Sequence, residues 1–177
     1  MIKRRDIKKW ALYALVMLLT AVLQGTPGAL PEVFGVYPLI VIPCAVAIAM
    51  FEGVSVGAAF AVFGGLLWDI EGGLTFGFNA LFLMILCVAV SMLIQNLFRR
   101  TLMSAMIFCL VVTLVHQAAT WFFFVYIAGR GTAFPLLSVL LPSAAYTIPF
   151  MFVYYFLCRA INSKFRDAGI SMDGSEL

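Results

Sequence analysis

Charged residues are scarce in this 177-residue sequence. Asp, Glu, Lys and Arg make up 11% of the residues, against about 25% in soluble proteins. Hydrophobic residues make up 64% of the chain, and the mean hydropathy is +1.10. So few ionic groups cannot cover a globule of this size in water. The composition therefore argues against a water-soluble enzyme and predicts one domain embedded in lipid.

The motifs of common catalytic and cofactor sites are also missing. We find no Ser/His/Asp set, no paired intramembrane carboxylates, no phosphate-binding loop and no H-E-x-x-H motif. We therefore expect no enzymatic activity, no catalytic residue, no cofactor and no metal. The net charge of +3 comes from a few basic clusters, which membrane topology explains better than nucleic-acid binding does.

The cysteines and the histidine offer little chemistry either. The four cysteines are isolated in apolar runs, without a C-x-x-C pair, and we interpret them as small packing residues. They are Cys44, Cys87, Cys109 and Cys158. An ionisable residue inside a membrane is a functional candidate by default, and His116 is the one histidine. We favour a neutral imidazole that is hydrogen-bonded across a helix interface.

Charged residues divide the sequence into six uncharged runs. The runs cover residues 10–31, 33–51, 53–68, 72–98, 101–129 and 131–158. A membrane-spanning helix needs about 20 apolar residues, so each run is a candidate span. A single helix over 33–71 would be about 58 Å long, nearly twice the hydrocarbon core of about 30 Å. The sequence therefore predicts a turn at Glu52 and Gly53.

The distribution of Lys and Arg predicts the orientation. With six crossings and the N-terminus inside, ten of these residues lie in the cytoplasm and only Arg130 lies outside. The predicted fold class is an all-α, polytopic, six-helix transmembrane bundle with both termini in the cytoplasm. We expect a basic cytoplasmic N-terminus at 1–9, a six-span membrane domain at 10–160 and a cytoplasmic polar tail at 161–177. The tail is predicted to be frayed from Asp167.

A ladder of small residues follows the third run and leads to Asp69. Its members recur at every fourth position and are Gly53, Gly57, Ala61 and Gly65. Small residues at this spacing allow two helices to approach closely in lipid. Either the protein's own helices or a partner helix could fill the ladder, and we favour internal packing.

Asp69 stands one step beyond the ladder, near the C-terminal end of the third helix. The helix dipole disfavours an anion there, so the sequence predicts a partner for this carboxylate. Arg130 is the single cation predicted on the outer side, and we expect it to form an ion pair with Asp69. Thr75 and Asn79 are candidate caps for the fourth helix.

Two short segments around Asp69 form a recognisable motif. They consist of Gly64, Gly65, Leu66, Leu67 and Asp69, then Gly77, Asn79, Ala80 and Leu81. A Gly-Leu-Leu-x-Asp segment followed by a Gly-x-Asn-Ala-Leu segment that opens the next helix resembles the signature region of the MreD family of rod shape-determining membrane proteins. Two positions depart from the family pattern: Leu39 follows Pro38, where Asp is common, and Glu52 stands where a basic residue is frequent.

The resemblance implies a non-enzymatic scaffold of the bacterial elongation machinery in the cytoplasmic membrane. The implied partners are MreC and, through it, MreB, RodA and a class B penicillin-binding protein, within membrane lipid. The alternative is a substrate-binding S component of an energy-coupling factor vitamin transporter, which has a similar six-helix size. That alternative would require an outward-facing pocket of polar groups.

Overall fold

The structure, a computed structural model, describes residues 4–32, 35–72, 76–126 and 134–173. These residues form α-helices and no strand, which confirms the all-α prediction for the described part of the chain. The helices are α1 (Arg4–Gly25), α2 (Val41–Glu52), α3 (Val54–Gly72), α4 (Phe78–Asn96), α5 (Leu102–Trp121) and α6 (Phe134–Asp173). A π-helical turn, Phe122–Tyr126, continues α5.

Four segments are long and apolar enough to cross a membrane. They are Val54–Gly72, Phe78–Asn96, Leu102–Phe124 and Leu140–Phe165. Large apolar side chains on these helices are exposed, including Leu81 and Ile85 on α4 and Phe152 and Val153 on α6. Exposed apolar surface on this scale is unusual for a soluble monomer. These are the features of a helical membrane protein.

The helix α2 is the centre of the bundle. The ten residues of Val41 to Met50 are all buried, and α2 contacts each of the other five helices. The sequence predicts a span within residues 33–51, but the helix begins only at Val41. The helix α2 is about 18 Å long, which is shorter than the hydrocarbon core. Pro38 disfavours helical geometry for the residue before it.

Side chains of two other helices hold the start of α2. The Gln24 side-chain oxygen of α1 accepts a hydrogen bond from the Val41 amide at 3.0 Å. The Thr147 hydroxyl of α6 accepts one from the Leu39 amide at 3.1 Å. Amides at the N-terminus of a helix have no acceptor within the helix. These two bonds supply acceptors for such amides and connect α2 to α1 and α6.

The predicted turn between α2 and α3 is confirmed. The helix α2 ends at Glu52, α3 begins at Val54, and Gly53 lies between them with a φ of 89°. Glycine adopts this left-handed region without a steric penalty. Gly53 therefore belongs to the junction, and the ladder inside α3 consists of Gly57, Ala61 and Gly65.

The last helix differs from its prediction at its C-terminal end. The sequence predicts a frayed chain from Asp167, whereas α6 continues as far as Asp173. Pro142 and Pro149 lie inside this helix, where each removes one backbone hydrogen bond. Thr147, between the two prolines, donates to the Ser143 carbonyl at 2.7 Å.

Candidate functional site

The helices α3 and α4 meet backbone to backbone at Gly65. A Cβ atom at this position would lie 2.6 Å from the Ala80 amide nitrogen and 2.9 Å from the Asn79 carbonyl carbon. Neither atom belongs to a flexible side chain that could move away. Only glycine at position 65 permits this approach, which brings the end of α3 against the first turn of α4. We refer to this region as the α3–α4 corner.

The carboxylate of Asp69 caps α4 from the end of α3. One of its oxygens, Oδ2, accepts hydrogen bonds from the amides of Gly77 at 2.9 Å and Ala80 at 3.2 Å. Its other oxygen, Oδ1, accepts from the Asn79 amide at 3.1 Å. Asp69 is only 5% exposed. One buried side chain thus satisfies three amides of the α4 N-terminus, which would otherwise lack partners.

The positive end of the α4 dipole explains why an acid is stable in this position. The dipole of α3 disfavours an anion at Asp69, but the N-terminus of α4 faces the same carboxylate and favours a negative charge. Of the two candidate caps, Asn79 is not the N-cap: α4 begins at Phe78, its N-cap residue is Gly77, and Asp69 accepts from the first amides instead. Arg130 and Thr75 lie outside the described residues, so the Asp69–Arg130 ion pair stays a prediction.

The remaining ladder and motif residues lie along α3 and at the start of α4. A Cβ on Gly57 would be 2.8 Å from the Ala49 Cα atom of α2, and one on Gly64 would be 2.7 Å from the Met17 sulfur of α1. Ala61 is fully buried. The small residues of α3 therefore face the protein's own helices α1, α2 and α4. Leu66 and Leu67 are half-buried, whereas Leu81 is exposed.

His116 lies beside this corner and is held by rings rather than by hydrogen bonds. Its imidazole stacks on Trp68 with centroids 4.9 Å apart, and Phe82 meets it edge-on at 5.9 Å. The residue is buried, and neither ring nitrogen has a hydrogen-bond partner among the described residues. The predicted hydrogen bond across a helix interface is therefore not present in that part of the chain.

A second polar cluster lies at the opposite end of α3, and sequence reasoning missed it. The Lys9 ammonium of α1 forms an ion pair with Glu52 Oε1 at 2.5 Å. The Tyr13 hydroxyl donates to the same oxygen at 3.0 Å, and Lys9 also donates to Asn162 Oδ1 of α6 at 3.3 Å. Lys9 and Tyr13 are four residues apart and share a helix face, which was a signal available in the sequence. We call these four residues the Glu52 network.

The contacts of the two clusters are a helix cap and an ion pair. Both Asp69 oxygens already accept hydrogen bonds from backbone amides, which leaves this carboxylate poorly placed to carry protons to a substrate. Within the described residues, no three His, Cys, Asp or Glu side chains come together as metal ligands. All four cysteines are buried and free.

Comparisons of this chain with protein-family models, with curated proteins and with solved structures find no match. The function is therefore argued from the residues and their geometry.

Proposed function

We propose that this protein is a non-enzymatic integral membrane scaffold of the bacterial rod complex, similar to MreD, which controls cell shape by binding MreC. Through MreC it would connect to MreB, RodA and a class B penicillin-binding protein. The site of action would be the cytoplasmic membrane, which the chain would cross six times with both termini inside.

One observation carries this proposal: five of the residues that resemble the MreD signature meet in the packed α3–α4 corner. Gly65 lets α4 touch α3, and Asp69 caps the helix that Gly77, Asn79 and Ala80 open. Every one of these residues serves helix packing or capping. A motif used in this way favours a rigid platform for other membrane helices over a catalytic site.

The six-span topology is supported by the helices outside the four apolar segments. The helix α1 has 22 residues, and its uncharged part begins at Trp10 and continues to the end of the helix at Gly25; with the uncharged residues that follow, it approaches the length of a span. Its surface carries exposed Leu15, Leu19 and Val22, which suits contact with lipid. Although α2 is short, its charged end at Glu52 meets Lys9 of α1, so these two residues share one membrane edge.

The outer face of the corner offers a surface for a partner helix. Ile70, which follows Asp69, and Leu81, the last residue of the motif, are 69% and 57% exposed. Lipid is as apolar as these side chains, so a partner span would bind here by close packing rather than by the hydrophobic effect. We place the MreC span against this surface.

Co-purification from native membranes tests the scaffold function and its surface together. We expect the tagged chain to retain MreC, and we expect Leu81→Trp to lower the amount retained about tenfold, because a bulky residue separates packed helices. Ile107→Trp on α5, at a similarly exposed position, is the matched control and should retain MreC. Equal retention by both variants would move the interface elsewhere. A wild-type chain that never retains MreC would overturn the scaffold function.

Depletion and ligand analysis separate the scaffold from the alternative. Depletion should convert rod-shaped cells to spheres if the protein supports the elongation machinery. The S-component alternative predicts instead a stoichiometric vitamin bound to the purified chain, together with loss of vitamin uptake and normal cell shape.

Cysteine labelling tests the topology. In a chain whose native cysteines are replaced by Ala, single cysteines at Lys3 and Arg99 should both react only from the cytoplasmic side. Labelling of these two positions from opposite sides would exclude the four crossings that the proposed topology has between them.

A further inference from the structure

A cationic cavity lies where the end of α2, the start of α5 and the C-terminal half of α6 meet. Its volume is about 390 Å³. The polar part of its lining consists of Arg100, Thr101 and Arg159, and Phe51, Leu102 and Phe156 supply apolar walls. Two arginines, both exposed, therefore line the same recess as three apolar side chains.

Arg100 is held in place from two sides. Its guanidinium nitrogen Nη1 donates to the Phe51 carbonyl at the end of α2, at 3.3 Å. Its own carbonyl accepts a hydrogen bond from the hydroxyl of Tyr155, a buried residue of α6, at 3.0 Å. An arginine side chain has five N–H donors, so four donors of Arg100 remain for a ligand.

Neither arginine of the cavity has an acidic partner in the described part of the chain. The ion pair found there joins Lys9 to Glu52, and it involves neither Arg100 nor Arg159. Arg159 also donates no hydrogen bond to any described residue. Two arginines therefore line the cavity without an acidic partner among the described residues, which favours an anion as the occupant.

The depth of the cavity indicates where this anion comes from. Arg159 lies within the apolar segment Leu140–Phe165, and Leu102 is the first residue of the segment Leu102–Phe124. The cavity is therefore at the level where hydrocarbon gives way to the polar interface. Basic cavities between helices at this level bind phosphate-bearing lipid headgroups, and the apolar walls suit the first carbons of acyl chains.

We propose that the cavity formed by Arg100, Arg159, Phe51, Leu102 and Phe156 binds the phosphate group of an anionic phospholipid. The two guanidinium groups would hold the phosphate oxygens, since arginine presents paired donors that match this geometry. The proposal depends on the protein lying in a membrane and does not depend on MreC.

Native mass spectrometry of the full chain in detergent tests the proposal. The probes are dioleoyl phosphatidylglycerol, phosphatidylcholine with the same acyl chains, and inorganic phosphate. We expect phosphatidylglycerol to bind about tenfold more tightly than phosphatidylcholine, and we expect Arg159→Gln to remove about tenfold of that affinity. Arg100→Lys should lose less, because it keeps the charge and loses the paired donors.

The matched control is Arg99→Gln, because Arg99 is exposed and adjacent in sequence but does not line the cavity. It should bind phosphatidylglycerol within about twofold of the wild type. Equal losses for Arg99→Gln and Arg159→Gln would overturn the site in favour of general surface charge. Equal binding of the two lipids would overturn the anion preference. Inorganic phosphate that binds as tightly as the lipid would overturn the lipid assignment.

Folding of the variants is checked by thermal unfolding. Arg159 makes no hydrogen bond to the rest of the described chain, so Arg159→Gln should unfold like the wild type. If Arg100→Lys proves unstable, the comparison of Arg159→Gln with Arg99→Gln still decides between the site and general surface charge.

Discussion

A carboxylate is shielded from water near each end of α3, but its hydrogen-bond partners differ between the two ends. Asp69 lies in the last turn of α3 and is 5% exposed, and Glu52, the last residue of α2, lies beside the first turn of α3 with a side chain that is 8% exposed. Asp69 is satisfied by backbone amides that lie 8 to 11 residues along the chain. Glu52 is satisfied by Lys9 and Tyr13, which lie 43 and 39 residues away.

The partners differ in what they can do if the acid is lost. Backbone amides in the first turn of α4 cannot leave their positions, so they would lose their acceptor, and the Ala80 amide would lose it in a buried position. A lysine at a membrane edge can extend its side chain and move its ammonium into water. We therefore expect the α3–α4 corner to be more sensitive to substitution than the Glu52 network, although the network contains the ion pair.

The largest effect is expected from Gly65→Ala. The added Cβ would collide with the Ala80 backbone, and we expect a loss of about 3 kcal/mol in the free energy of unfolding, at the upper end of overpacking effects. Gly72→Ala is the matched control, because its Cβ would lie 3.6 Å from the Trp68 ring in ordinary contact. Reversible unfolding in mixed micelles measures both. Similar stabilities for the two variants would show that α4 can move away from α3 at little cost.

Asp69→Asn comes next. An asparagine keeps one acceptor and turns an NH₂ group towards at least one of the three amides, which would cost about 2 kcal/mol. Glu71→Ala, which removes a neighbouring exposed carboxylate, should change the unfolding free energy by less than about 0.5 kcal/mol. Hydrogen exchange at Gly77, Asn79 and Ala80 should accelerate in Asp69→Asn alone. Unchanged exchange would mean that the carboxylate is not the cap.

Glu52→Gln makes the direct comparison between the two ends. Like Asp69→Asn, it replaces a carboxylate with a neutral amide. Because the Lys9 side chain can reach water, we expect a loss of about 1 kcal/mol in the free energy of unfolding. A cycle with Lys9→Met isolates the ion pair, and its coupling energy should be below about 1 kcal/mol. If Glu52→Gln lowered the free energy of unfolding more than Asp69→Asn does, the Glu52 network would be the more sensitive of the two ends.

The sequence contained enough information for the helical class and for the turn between α2 and α3. Glu52 next to Gly53 marks the turn because a charge belongs at a membrane edge and a glycine permits the required φ. The ladder also pointed to close helix contacts, and Gly57 and Gly65 do lie against α2 and α4. Each of these features depends on residues that are neighbours in the chain.

The role of α2 and the cap at Asp69 could not be predicted from local pattern. Hydropathy does not distinguish a helix surrounded by protein from one surrounded by lipid, so the central position of α2 follows only from tertiary contacts. The dipole argument at Asp69 considered the helix that contains the residue, whereas the helix that follows decides its environment. The contact of Lys9 with Glu52 spans 43 residues, and neither residue type specifies the other.

His116→Phe tests whether the surroundings of the α3–α4 corner depend on an imidazole. Its nitrogens have no partners among the described residues, so an apolar ring that still stacks on Trp68 should change the unfolding free energy by less than about 1 kcal/mol. The neighbouring Gln117→Leu loses the hydrogen bond to Ser143 and should cost about 1 kcal/mol. If His116→Phe lowered the free energy of unfolding by more than Gln117→Leu does, the imidazole would have a polar partner.

The smallest effect is expected from Arg130→Gln, and it tests the predicted ion pair with Asp69. Since three amides already satisfy the Asp69 carboxylate, an additional cation at a membrane edge should contribute less than about 0.5 kcal/mol. Arg99→Gln, which removes an exposed cation elsewhere, is the control and should match it in thermal unfolding. If Arg130→Gln instead destabilised the protein as much as Asp69→Asn, and exchange of the α4 amides rose with it, the cation would be part of the cap. Both carboxylates would then depend on a cation, and the two ends of α3 would differ only in how far along the chain their partners lie.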